Sequence, residues 1–290
     1  MDPIRWQDRP RLRRPIMVAA FEGWNDAADA ASTAASHVAR TYDATRFASL
    51  DPEDFYDFTE TRPRVTLEDG VTRRIQWPAN DWSAARLPDA VHDLVVFTGV
   101  EPQLKWRSFC EAFIDVARTL RVEMVLTLGA LLADVAHTRP VRVTGTAADP
   151  ELVARLHLQR SRYQGPTGIV GVLGDALTSD GIPSASLWAA VPHYVGQTPS
   201  PKAALALIER TSALIGVPIS AVDLEIASAA YERQVTELVE RDPDVAEYVS
   251  QLEQDSDDGD DERDDEALSS AESLAEEVER FLKEHGSSGG

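Results

Sequence analysis

Five carboxylates lie close to glycines that follow apolar runs: Glu22 and Asp26 around Gly23, Glu101 beyond Gly99, Asp134 beyond Gly129, and Asp175 beside Gly174. Paired carboxylates near glycine loops can carry out general acid–base chemistry or hold a hard cation. Three of the five have a structural reading as well. Asp26 stands where a helix is expected to begin, and a carboxylate there accepts from first-turn N–H groups and complements the helix dipole. Asp134 and Asp175 are placed to serve their own helices in the same way. Glu22 and Glu101 each follow a strand directly and lack that account, so they carry the strongest claim on function. His193, in VPHYVG at the end of an apolar run, is the histidine placed to face a crevice, but no Ser or Cys has a nucleophile's context. Trp24 could stack on a ring, or pair with Phe21 in an interface core.

Standard catalytic signatures are missing. The chain has no GxSxG elbow, no Walker A lysine, no HExxH and no CxxC, and the GxxG of IVGVLGDAL lacks the third glycine of a dinucleotide loop. Cys110 is the lone cysteine; it sits in a helical pattern and reads as a buried thiol. No catalytic residue, metal or cofactor is assigned on these grounds.

The elements that must position these residues alternate between strand and helix. IMVAAF (16–21), RFASL (46–50), DLVVFTGV (93–100), EMVLTLGA (123–130), VRVTGT (141–146), TGIVGVL (167–173) and SLWAAVP (186–192) read as strands. Helices are expected over about 26–40, 104–120, 201–215 and 221–251, with Asp149-Pro150 opening another. RVTLEDGVTRRIQW (64–77) reads as a hairpin turning at Asp69-Gly70. Strands apolar on both faces, alternating with helices, predict a three-layer α/β/α sandwich with a mixed, mostly parallel sheet. Ligands of open α/β sheets sit beyond the strand carboxyl ends. Loops at Gly23, Gly99, Gly129 and Gly174 are therefore expected to meet along one edge, bringing together Phe21, Glu22, Trp24, Asn25, Asp26, Glu101, Asp175 and His193.

Charge divides the chain. Of 49 acids and 28 bases, residues 251–290 hold 15 and three, which leaves 34 and 25 for the first 250. The body is mildly acidic and the tail intensely so, and the basic stripe that nucleic-acid binding needs is missing. The organisation expected is an arm (1–15), one domain (16–250), a disordered acidic linker (251–266), an amphipathic helix (267–285) bearing Leu268, Leu274, Val278, Phe281 and Leu282, and a flexible terminus (286–290). No apolar run approaches the roughly 20 residues of a membrane span, and no leader pattern precedes Ile16, so a cytoplasmic protein is expected.

Three stretches taken together, FEGWNDAADAAS (21–32), GPTGIVGVLGDAL (165–177) and SLWAAVPHYVGQTPSPKAALALIE (186–209), resemble the proteasome assembly chaperone 2 family in its actinobacterial branch. The resemblance spans about residues 16–249. It implies a phosphorylase-like α/β/α fold plus C-terminal helices, and a non-catalytic role in which the partners are proteins, proteasome subunits among them, and further copies of the chain, with a trimer assumed. Such chaperones often dock through a C-terminal hydrophobic–tyrosine–any tripeptide. This chain ends Ser288-Gly289-Gly290 with no tyrosine after Tyr248, so docking by that route is not expected. The alternative is a binder of nucleoside-like small ligands, or a hydrolase- or phosphorylase-type enzyme, using the crevice at the strand carboxyl edge.

Overall fold

A strand apolar at every position belongs in the middle of a sheet covered on both faces. Ile16–Phe21 lies there in the computed structural model, which describes residues 3–258. The strands of the main sheet are β1 (Ile4–Trp6), β2 (Ile16–Glu22), β3 (Thr45–Leu50), β6 (Asn80–Ala85), β7 (Leu94–Val100), β8 (Met124–Ala133), β9 (Val143–Ala147) and β10 (Ser184–Pro192). Their order is β1-β3-β6-β7-β2-β8-β10-β9. The four strands from β7 to β10 are parallel, so their carboxyl ends share one edge, and the flanking pairings are antiparallel.

Alternation along β2 sends Ile16, Val18 and Ala20 to one face and Met17, Ala19 and Phe21 to the other. The first face is covered by α1 (Ala30–Thr41) and α5 (Pro201–Ile215). Ala30, Ala31, Ala34 and Ala35 are fully buried there, and their small side chains let α1 lie close to the strands. The second face is covered by α2 (Trp106–Leu120) and α4 (Ile169–Ser179) around a cluster of aromatic rings. The expected three-layer sandwich is thus the observed one. A short α3 (Pro150–Leu156) is capped by Asp149, whose side chain accepts from the Glu151 N–H. The helices α6 (Val222–Val239) and α7 (Pro243–Asp258) form a third cluster, in which Tyr231, Val235, Val249 and Leu252 pack on Ala136. No described helix is long and apolar enough to cross a membrane.

Several expectations fail locally. Residues 167–173, read as a strand, open helix α4: Ile169, Val170, Leu173 and Leu177 make one buried face, a helical spacing hidden inside a short apolar run. β1 falls within the expected N-terminal arm and pairs with β3. The polar strand β6 was not foreseen. The helix α7 carries the chain past residue 250 to Asp258, and the expected amphipathic helix and terminus lie outside the described residues. The hairpin forms as expected, from β4 (Arg64–Glu68) and β5 (Thr72–Gln76). Asp69 and Gly70 both take positive φ, 51° and 72°, as a tight primed turn requires.

Candidate functional site

The β2–α1 loop begins at Gly23, whose φ of 121° suits glycine alone, and turns inward so that Asn25 and Asp26 are buried. The Asn25 carbonyl accepts from the Ala130 N–H at 2.9 Å, pinning the loop to β8. The residue preceding α1 is Asp29, and its side chain makes no cap; Asp26 supplies the missing acceptor. One oxygen of its carboxylate takes the Ala31 N–H at 2.6 Å, and both oxygens lie 3.3 Å from the Ser32 nitrogen. Burial outweighs these bonds and pushes its carboxyl up to about 6.

Glu101 holds the centre of the arrangement. Its Oε1 accepts from Asn25 Nδ2 at 2.9 Å and from the Ile169 N–H at 2.8 Å, while Oε2 accepts from the Trp24 N–H at 3.3 Å. The first-turn amide of α4 thereby gains a cap from a distant loop, since Gly168 at the cap position has no side chain to offer. A Cβ on Gly168 would stand 2.4 Å from Asn25 Nδ2 and 2.8 Å from Glu101 Oε1, so glycine is needed for this close approach. Glu101 therefore has the structural account that its sequence position withheld: it ties the loop after β2, the loop after β7 and the start of α4 into one hub.

Other expected site residues separate from the hub. Phe21 is fully buried among Phe97 and Phe109, at ring-centroid distances of 4.9 and 5.9 Å, and cannot serve an interface. Gly99 and Gly129 lie inside β7 and β8, not in loops beyond them; a Cβ at Gly99 would strike the Asn80 side chain, and one at Gly129 the Trp188 ring. Gly174 and Asp175 lie within α4, so Asp175 caps no helix. Only Gly23 closes a strand as expected. Glu22 is exposed, and its carboxyl is raised by partial burial and by the charge of Asp29 against the pull of Arg64. Trp24 is 51% exposed.

Asp134 and His193 belong to a second cluster on the same edge. The Asp134 carboxylate accepts from the Tyr248 hydroxyl at 2.9 Å and stands 3.1 Å from His193 Nδ1. Beside it, buried His137 joins Tyr194 through Nδ1 (2.8 Å) and Thr236 through Nε2 (3.0 Å). The Thr236 hydroxyl donates to the Glu232 carbonyl, so the network assigns the imidazole proton to Nε2. Lys202 donates to the His137 carbonyl at 2.5 Å and pairs with Glu232. Burial lowers the His137 pKa. This clasp fastens α6 and α7 to the sheet, and sequence reasoning missed His137 because its partners lie 57 and 99 residues away. A groove of about 510 Å³ opens elsewhere, along α4 and over β9–β10, with Trp24, Trp188, Arg160 and Asp175 among its walls.

Fold and site together define a three-layer α/β/α protein in which the polar residues at the strand carboxyl edge are largely committed to holding loops and helices. The family model described as the PAC2 family matches residues 20–239, and the chain belongs to that family. It is 50% identical to a PAC2 family protein from Streptomyces avermitilis over 81% of this chain and 99% of that one, with a TM-score of 0.76. It is 46% identical to a proteasome-assembly chaperone homologue from Mycobacterium tuberculosis, again over 81% and 99%, at a TM-score of 0.74. An archaeal proteasome activator from Pyrococcus furiosus shares the fold at 18% identity and a TM-score of 0.67, covering 82% of this chain and 99% of its own. No curated protein matches the chain.

Proposed function

We propose that the protein is a non-catalytic, homo-oligomeric binding factor of the cytoplasm that acts on proteasome subunits in the manner of an assembly chaperone. One observation carries the reading. Glu101, the best-placed carboxylate at the strand carboxyl edge, is engaged by three N–H donors from two other segments and is a structural cap. Asp26 is engaged likewise at α1, and His193 sits in a clasp for appended helices. The nucleoside-like alternative loses most of the polar groups it would use. The kinship with a chaperone homologue supplies the class of partner.

Immobilised full-length protein should retain purified proteasome α-subunits from a matched source. Binding should weaken as salt rises, because the chain is strongly acidic and exposed charges are screened. Failure to retain any α-subunit at low ionic strength overturns the reading.

A further inference from the structure

Most polar groups at the strand carboxyl edge are spent inside the protein, but one of them has capacity left. Asn25 is 2% exposed, and its Nδ2 donates to Glu101 Oε1 at 2.9 Å. The carboxylate beside it fixes which end of the amide is the nitrogen. Asn25 Oδ1 accepts from no described residue. The side chain lies against the α4 groove and its oxygen is not sealed from solvent, so the donor comes from whatever fills the groove.

The volume of the groove, about 510 Å³, falls within the range of about 300–1,000 Å³ typical of small-ligand sites. Its floor is the β9–β10 end of the sheet, and one wall is α4. Gln159 is bridged to Thr146 of β9, so Arg160 stands on the far wall, opposite Asp175 of α4. Neither charge has a side-chain partner among the described residues, so the groove presents one cation and one anion that do not neutralise each other. The hydroxyls of Ser186, Tyr163 and Thr178, by contrast, are engaged with Thr127 and with the carbonyls of Pro166 and Gly174. Apolar surface comes from Trp24 and Trp188. A simple anion would satisfy Arg160 and be repelled by Asp175, and a simple cation the reverse; a ligand carrying both charges satisfies both.

We propose that the α4 groove binds a short zwitterionic peptide with apolar side chains. Its terminal carboxylate lies on Arg160, its terminal ammonium on Asp175, one of its N–H groups donates to Asn25 Oδ1, and its side chains rest against Trp24 and Trp188. The planar guanidinium fork can take both carboxylate oxygens at once. A tripeptide has the size of a drug-like ligand, which a groove of this volume accommodates. A nucleoside offers a ring to the tryptophans but lacks the pair of opposite charges. The proposal is independent of proteasome-subunit docking, and neither reading needs the other.

Isothermal titration calorimetry on the full-length chain tests it with trileucine, N-acetyl-trileucine and trileucine amide. Free trileucine should bind saturably, and either cap, by removing one charge-assisted contact, should weaken it about tenfold or more. Arg160→Gln should weaken free trileucine to the same degree and bind the free and amidated forms equally. Asp175→Asn should do so for the free and acetylated forms. Gly174→Leu should abolish binding, because a Cβ there meets nothing within 4 Å and the side chain projects into the groove. Leucine is also the better helix former, so an unchanged or raised melting temperature separates a blocked groove from a damaged fold. If the melting temperature falls, the charge variants decide, since both side chains are exposed. Absence of saturable trileucine binding at millimolar concentration overturns the proposal. So do capped peptides that bind equally well, charge variants that keep the wild-type preference, or a Gly174→Leu variant that binds like the wild type. Adenosine that binds where trileucine does not, and is excluded by Gly174→Leu, assigns the groove to another class of ligand and overturns it too.

Discussion

The hub around Glu101 and the clasp around His137 lie on the same edge of the sheet but are held by different physics. The hub is a single carboxylate collecting N–H donors, two of them backbone amides. Charge-assisted bonds of this kind are strong, and the donors left behind without them are costly. The clasp is centred on a chain of hydroxyl, imidazole and hydroxyl joining the sheet end to α6, flanked by the Lys202–Glu232 pair and by a Tyr–Asp contact reaching α7. The hub thus braces the central parallel strands, whereas the clasp fastens α6 and α7 to the sheet end.

The sharpest test of that contrast is Glu101→Ala. It strands the buried Asn25 amide and the Ile169 N–H, and should cost about 2–6 kcal/mol in urea denaturation, summed from a penalty of about 1–3 kcal/mol per stranded donor. Glu101→Gln keeps an acceptor oxygen and should cost clearly less. A loss below about 1 kcal/mol for the alanine variant would show that the hub does not brace the fold.

The two regions should also answer pH with opposite signs. Asp26 has its folded pKa raised from the usual 3.8 to about 6, so its contribution is fully present below 3.8 and is lost as pH rises through 6. Asp26→Asn, which does not titrate, should therefore gain on the wild type between pH 4 and 7. The ceiling is about 3 kcal/mol, from about 1.4 kcal/mol per pKa unit. His137 behaves the other way: its folded pKa is depressed, so stability is lost as pH falls below about 6.5, where the unfolded chain takes up the proton first. Stability curves of Asp26→Asn and of His137→Leu that ran parallel to the wild type would abolish the contrast.

The same difference governs what the sequence made legible. Asp26 opening a helix could be anticipated, because cap and first turn are neighbours in sequence, although the carboxylate reaches past Asp29 to do it. The buried strands β2, β7 and β8 were visible because both faces are largely apolar, and β10 because of the apolar run from Leu187 to Val191, although its burial alternates and Ser184 and Ser186 line its other face. Glu101 has no cap to serve in its own stretch of sequence, and the helix start it does cap, at Ile169, lies 68 residues away in a segment whose pattern reads as a strand. Gly99 and Gly129 looked like loop formers, but their purpose is to leave room for Asn80 and Trp188 on neighbouring strands, which no local pattern records. Pairings across tens of residues, as at His137, have no periodic signature.

Within the clasp, His137→Leu should cost about 1–2 kcal/mol, since the Tyr194 and Thr236 hydroxyls lose one partner each while Thr236 keeps the Glu232 carbonyl. It should also remove the acid lability below pH 6.5. Amide exchange should rise first in α6, and a uniform rise across the sheet would mean that the clasp is part of the core.

The smallest effect, and the most local, belongs to Tyr248→Phe. Its hydroxyl donates to Asp134 at an exposed site, and burial with the neighbouring carboxylate raises the phenol pKa, so the group donates as a neutral phenol throughout the physiological range. Losing one exposed hydrogen bond costs about 0.5–1 kcal/mol. The ring keeps its contacts with His193 and Tyr194 at 5.4 and 6.3 Å, so packing changes little. The global denaturation midpoint should barely move, while amide exchange in α7 rises several-fold and that in β2 and β8 stays fixed. If β8 loosens together with α7, the helix is not an accessory, and the hub and clasp act as one cooperative unit.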